Sequence, residues 1–498
     1  MRKPEPPPSS LPPHAGFLRR LMVGGFWTTV DAWATEAANL VVFLVLVRLL
    51  APSEFGIVAM AAVFVMLASD LGAFSVTQVL IQRRDLQRGH VDAVFLTVLG
   101  LSVVGFALVL AGAPLAAAVY GEPLVAELLV WLSPVIVLNA FTAVPIALLT
   151  RDMRFGTLAM RSFAMVVTSG AVGVSLAVLG YGPWALVAQA LTKSAVSLVV
   201  LMGATGWRPG WRCGRGHLRD VRGYVLGTFG THVVGAAERH VVQFLLGLLL
   251  GSAALGYFNA AQRLVEILVR LFIVPVSQLT MPGFSTVQAD PARVRALLEG
   301  GVRVTSLISF PAFVGAAVVA PDLVGVVLGE TWLPAAPVLA ILALRGLGST
   351  SALPGASLLY ALGRPHWLLG INAASLAAGT VVLLVAAPFG VAAAAAGDLL
   401  RFLGCHCSLI AVAVGRLTGV RPTEQVRLVL PSLAAAAFMA ACVLAWRSFG
   451  PATDPATSLA SSVAVGVVAY ALASLVVNRA LLRRAAGLVL GVGGAARA

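Results

Sequence analysis

Long apolar stretches repeat through almost the whole of this 498-residue sequence, and arginine is concentrated in every second connection between them. A stretch of about 20 apolar residues is long enough to cross a bilayer as a helix. We count fourteen such stretches, centred near residues 39, 65, 103, 137, 167, 191, 234, 268, 310, 344, 376, 398–410, 438 and 468. The pattern predicts an all-α polytopic membrane protein with fourteen transmembrane helices.

Basic residues indicate on which side of the membrane each connection lies, because cytoplasmic loops carry an excess of Lys and Arg. The odd-numbered connections contain only Arg48 and Arg447. The even-numbered connections contain Arg83, Arg84, Arg88, Arg151, Arg154, Arg208, Arg212, Arg215, Arg219, Arg222, Arg293, Arg295, Arg303, Arg364, Arg416, Arg421 and Arg427, and both ends of the chain are basic. We therefore predict a multi-pass protein of the cytoplasmic membrane with both termini in the cytoplasm.

The composition excludes several classes of function. Hydrophobic residues make up 59% of the chain and charged residues 11%, against roughly 45–50% and about 25% in soluble domains. The formal charge of +14 does not indicate nucleic-acid binding, because the arginines lie in separate short loops and form no continuous basic face. No phosphate-binding loop of the Walker A type and no catalytic triad is present. We predict no enzymatic activity and no cofactor.

The segment Cys405-His406-Cys407 does not predict a metal site, because residues two apart on a helix point about 200° apart. The proline-rich residues 1–20 are predicted to be a disordered cytoplasmic tail and not a signal peptide. The remaining boundaries divide the chain into a first lobe of six spans (21–206), a basic cytoplasmic linker (207–222), a second lobe of six spans (223–418), and two further spans with a cytoplasmic C-terminus (419–498).

An internal repeat supports this division. The segment Leu49–Gly56 recurs 200 residues later as Leu249–Gly256, and each copy joins the first and second spans of its lobe. A weaker repeat relates Ala143–Pro145 to Ala352–Pro354. Because six is an even number, the two lobes start on the same side of the membrane and are parallel repeats about an axis along the membrane normal. Two parallel bundles around a cavity are typical of alternating-access transporters.

Several short segments then carry a family resemblance. They are Val47–Gly56, Ser69–Gly72 and Leu80–Leu86 in the first lobe, and Ala254–Tyr257, Ala261–Leu264 and Ala361–Pro365 in the second. In this order they resemble the polysaccharide transporters, which are the O-antigen and exopolysaccharide repeat-unit flippases of the multidrug/oligosaccharidyl-lipid/polysaccharide exporter superfamily. The resemblance covers roughly residues 20–420. It implies a MATE-like, V-shaped fold that moves a polyprenyl-pyrophosphate-linked oligosaccharide to the outer leaflet. The chain departs from the family pattern at Val242-Gln243, where an acidic or amide pair often stands.

Charged side chains within spans are expensive, so each is a functional hypothesis. Arg263, Glu266 and Arg270 lie at positions i, i+3 and i+7 on one helical face, and we expect Glu266 to hold Arg270 until substrate competes. The alternatives are that Arg263 extends to the lipid interface or that the trio is a structural group. Because arginine binds phosphate through paired donors, the predicted substrate-binding residues are Arg239, Arg263, Arg270 and Arg345. The predicted ion-coupling residues are Glu36, Asp70, Glu238 and Glu266. Asp398 and Arg401 are predicted to form an intrahelical structural pair.

The leading hypothesis is a flippase for a lipid-linked oligosaccharide, coupled to a proton or Na⁺ gradient, with a polymerase and glycosyltransferases of the same pathway as further partners. One alternative is a cation-coupled small-molecule or drug exporter of the same superfamily, which predicts a cavity with more acidic than basic residues. Another is a membrane glycosyltransferase or polymerase, which should have a large external loop. The longest predicted external connection runs only from about Phe449 to Ser458.

Overall fold

The computed structural model describes residues 33–82, 87–210, 214–288, 290–449 and 454–479. Within these ranges the backbone is helical apart from short turns and contains no β-strand. The predicted tail 1–20, Arg83, Arg84 and the C-terminal arginines from Arg483 onward lie outside the described residues. In chain order the helices are α1 (33–49), α2 (Pro52–Gln82), α3 (Arg88–Tyr120), α4 (Leu124–Leu132), α5 (Pro134–Arg151), α6 (Phe155–Val178), α7 (Pro183–Thr205), α8 (Arg215–Phe272), α9 (Val274–Val287), α10 (Pro291–Val318), α11 (Ala320–Val327), α12 (Ala336–Ala361), α13 (Pro365–Ala386), α14 (Val391–Arg401), α15 (Ser408–Thr418), α16 (Pro422–Phe449) and α17 (Pro455–Val477).

Twelve stretches of the described chain are long and apolar enough to cross a membrane. One of them, Val233–Phe272, contains two helices, because the backbone at Gly251 (φ 81°, ψ −177°) divides α8 into α8a (215–250) and α8b (252–272). Glycine adopts this conformation without a steric penalty. The described part of α1 adds one more helix. The all-α polytopic fold is therefore confirmed, and the helices are compatible with fourteen spans, a number that stays a prediction. α8 begins at Arg215, so the last part of the predicted linker 207–222 is helical.

The two copies of the repeated segment pack against each other reciprocally. The carbonyl oxygen of Ser252 fills the space beside Gly56 in α2, and that of Pro52 fills the space beside Gly256 in α8b. The same 200-residue offset relates both partners of each contact. A Cβ atom at either glycine would overlap the facing backbone. The sequence repeat thus corresponds to a close, two-fold-like crossing of α2 and α8b, of the kind that small residues permit between membrane helices.

The apolar core joins the helices of the first block (α1–α7) to those of the second block (α8–α15) at one end of the molecule. The largest cluster of buried residues draws on α2, α3 and α4 from the first block and on α8, α12 and α14 from the second. Toward the other end there are two separate clusters, one in α3 and α5 and one in α10, α12, α13 and α15. The joined end is the one that the arginine pattern predicts to be external. Among the residues with described side chains, neither of these two clusters joins the blocks at the predicted cytoplasmic end.

The last two helices are attached to the second block. The hydroxyl of Tyr470 in α17 donates to the carbonyl of Leu307 at 2.7 Å, and Arg447 at the end of α16 contacts Asp322 of α11 at 3.1 Å. Apolar residues of α16 and α17 pack on α10 beside these contacts. These two helices therefore extend the second block and leave the space between the blocks free.

The glycine crossing generates a prediction. Gly56→Ala and Gly256→Ala should each lower the melting temperature of the purified full-length protein in detergent, because overpacking a close contact costs about 1–3 kcal/mol. The two variants should behave alike, because their contacts are reciprocal. Gly100→Ala in α3 is the control, since the space around Gly100 is open. Melting temperatures of Gly56→Ala and Gly256→Ala equal to that of the control would contradict the close crossing.

Candidate functional site

A cavity of about 570 Å³ lies between the two blocks, and both contribute to its wall. α2 provides mainly apolar side chains such as Ala59 and Met66, whereas α8, α12 and α14 provide polar and charged ones. The charged residues that line it are Glu238, Arg239, Arg263, Glu266, Arg345, Asp398 and Arg401. Arginines outnumber carboxylates in this wall. The wall does not show the excess of acidic residues that the drug-exporter alternative predicts.

One carboxylate from the first block holds two arginines of the second. Glu36 of α1 is buried and contacts Arg263 at 3.2 Å and Arg270 at 3.5 Å, both from α8b. This arrangement, the Glu36 cluster, agrees with the expectation that the two arginines share a helical face. Glu266 contacts Arg263 at 3.9 Å and accepts a hydrogen bond from Gln262 at 2.9 Å. The expected partner of Arg270, Glu266, is thus replaced by Glu36 from another helix.

A second group of charges also joins the blocks. Asp70 of α2 accepts a hydrogen bond from Arg239 of α8a at 2.8 Å, and the Nε2 atom of His240 lies 3.3 Å from the same carboxylate oxygen. The Arg239 side chain, which lines the cavity, is 54% exposed, and the Asp70 side chain is 26% exposed. The Asp70 cluster, formed by these three residues, is therefore a partly exposed link between α2 and α8a.

A third group lies within the second block, and its central pair, Arg401 and Asp398, is almost fully buried. Arg401 of α14 donates to Asp398 at 2.7 and 3.0 Å and to Glu238 of α8a at 2.7 Å. Arg345 of α12 contacts the other oxygen of Asp398 at 3.0 Å, and the Ser375 hydroxyl donates to Glu238 at 3.3 Å. The side chains of Arg401 and Asp398 are only 3% and 4% exposed. The predicted intrahelical pair is thus present within a four-helix network, the Arg401 cluster.

The predicted site residues divide among these three clusters. Glu238 and Arg239 are neighbours in sequence and both line the cavity, but they turn to different partners, Arg401 and Asp70. Arg263 lies in the cavity wall, whereas Arg270 is more exposed than its partner Glu36 and is placed beside the cavity through that contact. These positions bring the predicted residues together, and their roles in binding and ion coupling stay predictions.

Several polar residues of the wall, among them Arg401 and His240, have no functional role predicted from the sequence. The three-residue spacing to Asp398 predicts only an intrahelical pair for Arg401, because its other partner, Glu238, lies 163 positions away in the chain. A lone histidine on an apolar helix forms no pattern that would predict a role for His240. Its position directly after Arg239 was the available signal, since both side chains reach the carboxylate of Asp70.

The Cys405–Cys407 segment forms part of a π-helical turn, Phe402–Cys407, which directly follows α14. This turn places the ring of Phe402 under the guanidinium group of Arg345, with 4.2 Å between its carbon and the ring centroid. The His406 ring stacks on Phe402 at 5.1 Å. In the part of the chain that the structure describes, no group of three His, Cys, Asp or Glu side chains is arranged to hold a metal ion. The turn therefore packs against the Arg401 cluster through the contact between Phe402 and Arg345.

Comparison with known proteins identifies the family. A family model with the description "Polysaccharide biosynthesis protein" matches residues 45–337, which is more than half of the chain. The chain belongs to this polysaccharide biosynthesis family. It is 27% identical over 319 residues to the succinoglycan biosynthesis transport protein ExoT of Rhizobium meliloti (strain 1021), and the match spans 64% of each protein. It is 24% identical over 348 residues to the lipopolysaccharide biosynthesis protein WzxC of Escherichia coli (strain K12), across 68% of this chain and 70% of WzxC. The resemblance inferred from the sequence segments is confirmed.

Solved structures show the same architecture for this family member. The lipid II flippase MurJ in an inward closed conformation superposes with a TM-score of 0.73 at 13% identity, covering 92% of this chain and 100% of MurJ. A MATE-family multidrug resistance transporter of the MOP superfamily in an inward-facing conformation superposes with a TM-score of 0.60 at 12% identity, covering 78% and 99%. At these identities the likeness concerns the fold alone. It confirms the predicted MATE-like fold class.

The buried network predicts unequal costs for its two arginines. Arg401→Ala should destabilise the protein strongly, because removing one partner of a buried ion pair costs about 3–5 kcal/mol. Arg345→Ala should lower the stability less, since the Arg345 side chain is 32% exposed. In this variant Asp398 still pairs with Arg401. The measurement is the melting temperature of both purified variants in detergent. An equal or larger loss in Arg345→Ala would contradict the assigned hierarchy.

Proposed function

We propose that this protein flips a polyprenyl-pyrophosphate-linked oligosaccharide, a repeat unit of a surface polysaccharide or exopolysaccharide, across the cytoplasmic membrane. Three findings support the proposal. The chain belongs to a polysaccharide biosynthesis family, one relative is named a transport protein, and the fold is that of a lipid II flippase. The predicted orientation, with both termini in the cytoplasm, makes the cytoplasmic side the loading side.

The observation that carries the proposal is the Glu36 cluster. Two arginines about two turns apart on one face of α8b share one carboxylate from the opposite block. A pyrophosphate group offers more acceptor oxygens and more negative charge than a carboxylate, and arginine binds phosphate oxygens through paired donors. In the proposed mechanism the pyrophosphate takes the place of Glu36 between Arg263 and Arg270. Binding then breaks a link between α1 and α8b.

Alternating access follows from where the inter-block contacts lie. The glycine crossing of α2 and α8b joins the blocks at the predicted external end, and the Glu36 and Asp70 clusters join them deeper in the membrane. In the proposed cycle, substrate binding weakens the deeper contacts, the blocks rock about an axis that lies in the membrane plane, and the external crossing opens. The apolar carrier chain stays in the bilayer throughout.

We propose ion coupling through the carboxylates of Glu36, Asp70, Glu238 and Glu266. A proton or Na⁺ that neutralises one of these groups releases its arginine, and the charge balance of the cavity then changes. Asp70 is the best placed, because it joins the two blocks and is more exposed than Glu36 or Glu238. A polymerase and glycosyltransferases of the same pathway are the proposed partners, since they consume and supply the flipped oligosaccharide.

The arginine site is tested by export. Arg263→Ala and Arg270→Ala should each lower the export of surface polysaccharide about tenfold or more, because each removes charge-assisted hydrogen bonds to phosphate. The measurement is cell-surface polysaccharide together with the amount of protein in the membrane. Arg293→Ala is the matched control, since Arg293 is exposed and pairs only with Asp290 at 3.2 Å among the residues with a described position. Normal export in both cavity variants would refute the site.

The coupling role of Asp70 is tested in proteoliposomes. Asp70→Asn keeps the shape of the side chain and removes its charge. The variant should still equilibrate a lipid-linked oligosaccharide between leaflets, but an imposed proton gradient should no longer accelerate flipping. The rate of flipping with and without the gradient is the measurement. If Asp70→Asn responds to the gradient as the unaltered protein does, coupling does not pass through Asp70.

A further inference from the structure

A second cavity of about 280 Å³ lies inside the first block, between α1, α6 and α7. Its polar wall residues are Asn39, Ser169, Gln189 and Lys193, and together they define the Lys193 chamber. The side chain of Arg263 lines both this chamber and the cavity between the blocks. The chamber therefore adjoins the position proposed for the pyrophosphate. No step of the mechanism above uses it.

The ammonium group of Lys193 is unpaired. Among the residues that the structure describes, it has neither an ion-pair partner nor a hydrogen-bond partner, although its side chain is open to the chamber. Its charged neighbours are Arg161, Arg263, Arg270 and the carboxylate of Glu36. Glu36 is already held by Arg263 and Arg270, and Arg161 donates to the Ser197 hydroxyl at 2.8 Å. The chamber thus carries uncompensated positive charge.

The amide groups of the chamber are also available. Gln189 has no hydrogen-bond partner among the described residues, and it lies one helical turn before Lys193 on the same face of α7. The Asn39 amide nitrogen donates to the backbone carbonyl of Thr35, one turn earlier in α1, at 2.9 Å. The side-chain oxygen of Asn39 remains as an acceptor. An ammonium group, two amides and a serine hydroxyl form a wall that binds hydroxyl and oxyanion groups.

A comparison of corresponding positions in the two blocks shows which partners Lys193 lacks. Lys193 is the eleventh residue of α7, and Arg401 is the eleventh residue of α14; each helix opens the sixth span of its block. Arg401 is neutralised by Asp398, three residues earlier, and by Glu238. The residue three before Lys193 is Ala190, which lines the chamber, and the residue 200 before Glu238 is Ala38.

Equivalent cations in the two blocks therefore have opposite surroundings. In the second block two protein carboxylates satisfy the cation, whereas in the first block alanine stands at both positions. Because Ala190 lines the chamber, part of the chamber is the space that a carboxylate at this position would fill. An unpaired charge inside a span is costly, so an anionic group of a ligand is stabilised beside Lys193.

We propose that the Lys193 chamber binds one sugar unit of the transported glycan and that Lys193 binds a carboxylate carried by that sugar. The proposal rests on the proposed function and extends it to the class of substrate, an acidic oligosaccharide. A volume of about 280 Å³ is equivalent to about nine water molecules at roughly 30 Å³ each, which is room for one sugar ring. Asn39, Ser169 and Gln189 bind its hydroxyl groups. The ring lies next to the pyrophosphate held by Arg263.

The test compares acidic and neutral sugars on the purified full-length protein in lipid nanodiscs. The probes are glucuronate and galacturonate, their neutral counterparts glucose and galactose, and inorganic pyrophosphate. The uronates should bind more tightly than the neutral sugars. Lys193→Gln should weaken uronate binding about tenfold or more, because it removes a charge-assisted hydrogen bond, and should leave pyrophosphate binding unchanged.

A second variant keeps the test independent of folding. Ala190→Asp gives Lys193 the internal partner that Asp398 gives Arg401, so it should preserve the melting temperature and abolish the preference for uronates. Arg270→Ala is the control for the neighbouring site, since Arg270 does not line the chamber. It should weaken pyrophosphate binding and leave uronate binding unchanged.

Several outcomes would overturn the proposal. Equal affinity for uronates and neutral sugars, or unchanged uronate binding in Lys193→Gln, would show that Lys193 does not bind a sugar carboxylate. A loss of pyrophosphate binding in Lys193→Gln would assign Lys193 to the phosphate site instead. Failure of the proposed function is distinguishable, because it would appear as pyrophosphate binding that does not respond to Arg270→Ala.

Discussion

The cost of charge inside a bilayer governs how the helices of this chain are arranged. A charged side chain at the middle of a span costs about 2.5–3.5 kcal/mol on insertion scales, and an opposite charge nearby reduces that cost. Glu36, Asp70, Glu238 and Asp398 each contact an arginine on another helix. Because the partners lie on separate helices, each contact fixes the relative position of two helices as well as neutralising charge.

The contacts differ in what they join and how easily they separate. The Arg401–Asp398 pair lies within the second block and is almost completely buried, so removing one partner leaves a buried, unpaired charge. The Glu36 and Asp70 clusters lie between the blocks, and in each of them one arginine, Arg270 or Arg239, is more than half exposed. Exposed ion pairs are weaker than buried ones. A ligand anion or a proton can therefore exchange partners between the blocks while the interior of the second block stays intact.

The sequence predicts the features that depend on local patterns. Apolar length and arginine bias give the helices and their alternation, and the i, i+7 spacing places Arg263 and Arg270 on one face. Partner choice is different, because it depends on helix depth and crossing angle. Within α8b the nearest acidic candidate for Arg270 is Glu266, yet Glu36 of α1 contacts both arginines. Likewise, the three-residue spacing predicts the Asp398–Arg401 pair but not the addition of Glu238 and Arg345.

The internal repeat combines symmetric backbones with asymmetric charge. Both Gly56 and Gly256 are glycine because the crossing of α2 and α8b leaves no room for a side chain in either copy. The two blocks are thus related by the same two-fold-like axis as their sequences. The sixth spans match in the position of a cation but not in its partners. In the second block the cation of the sixth span is thus paired within the protein, whereas Lys193 of the first block has no ion-pair partner among the described residues. A cation that is already paired within the protein gains little from an anionic substrate. Arg401 is therefore suited to hold the helices of the second block together, whereas Lys193 is suited to bind the substrate.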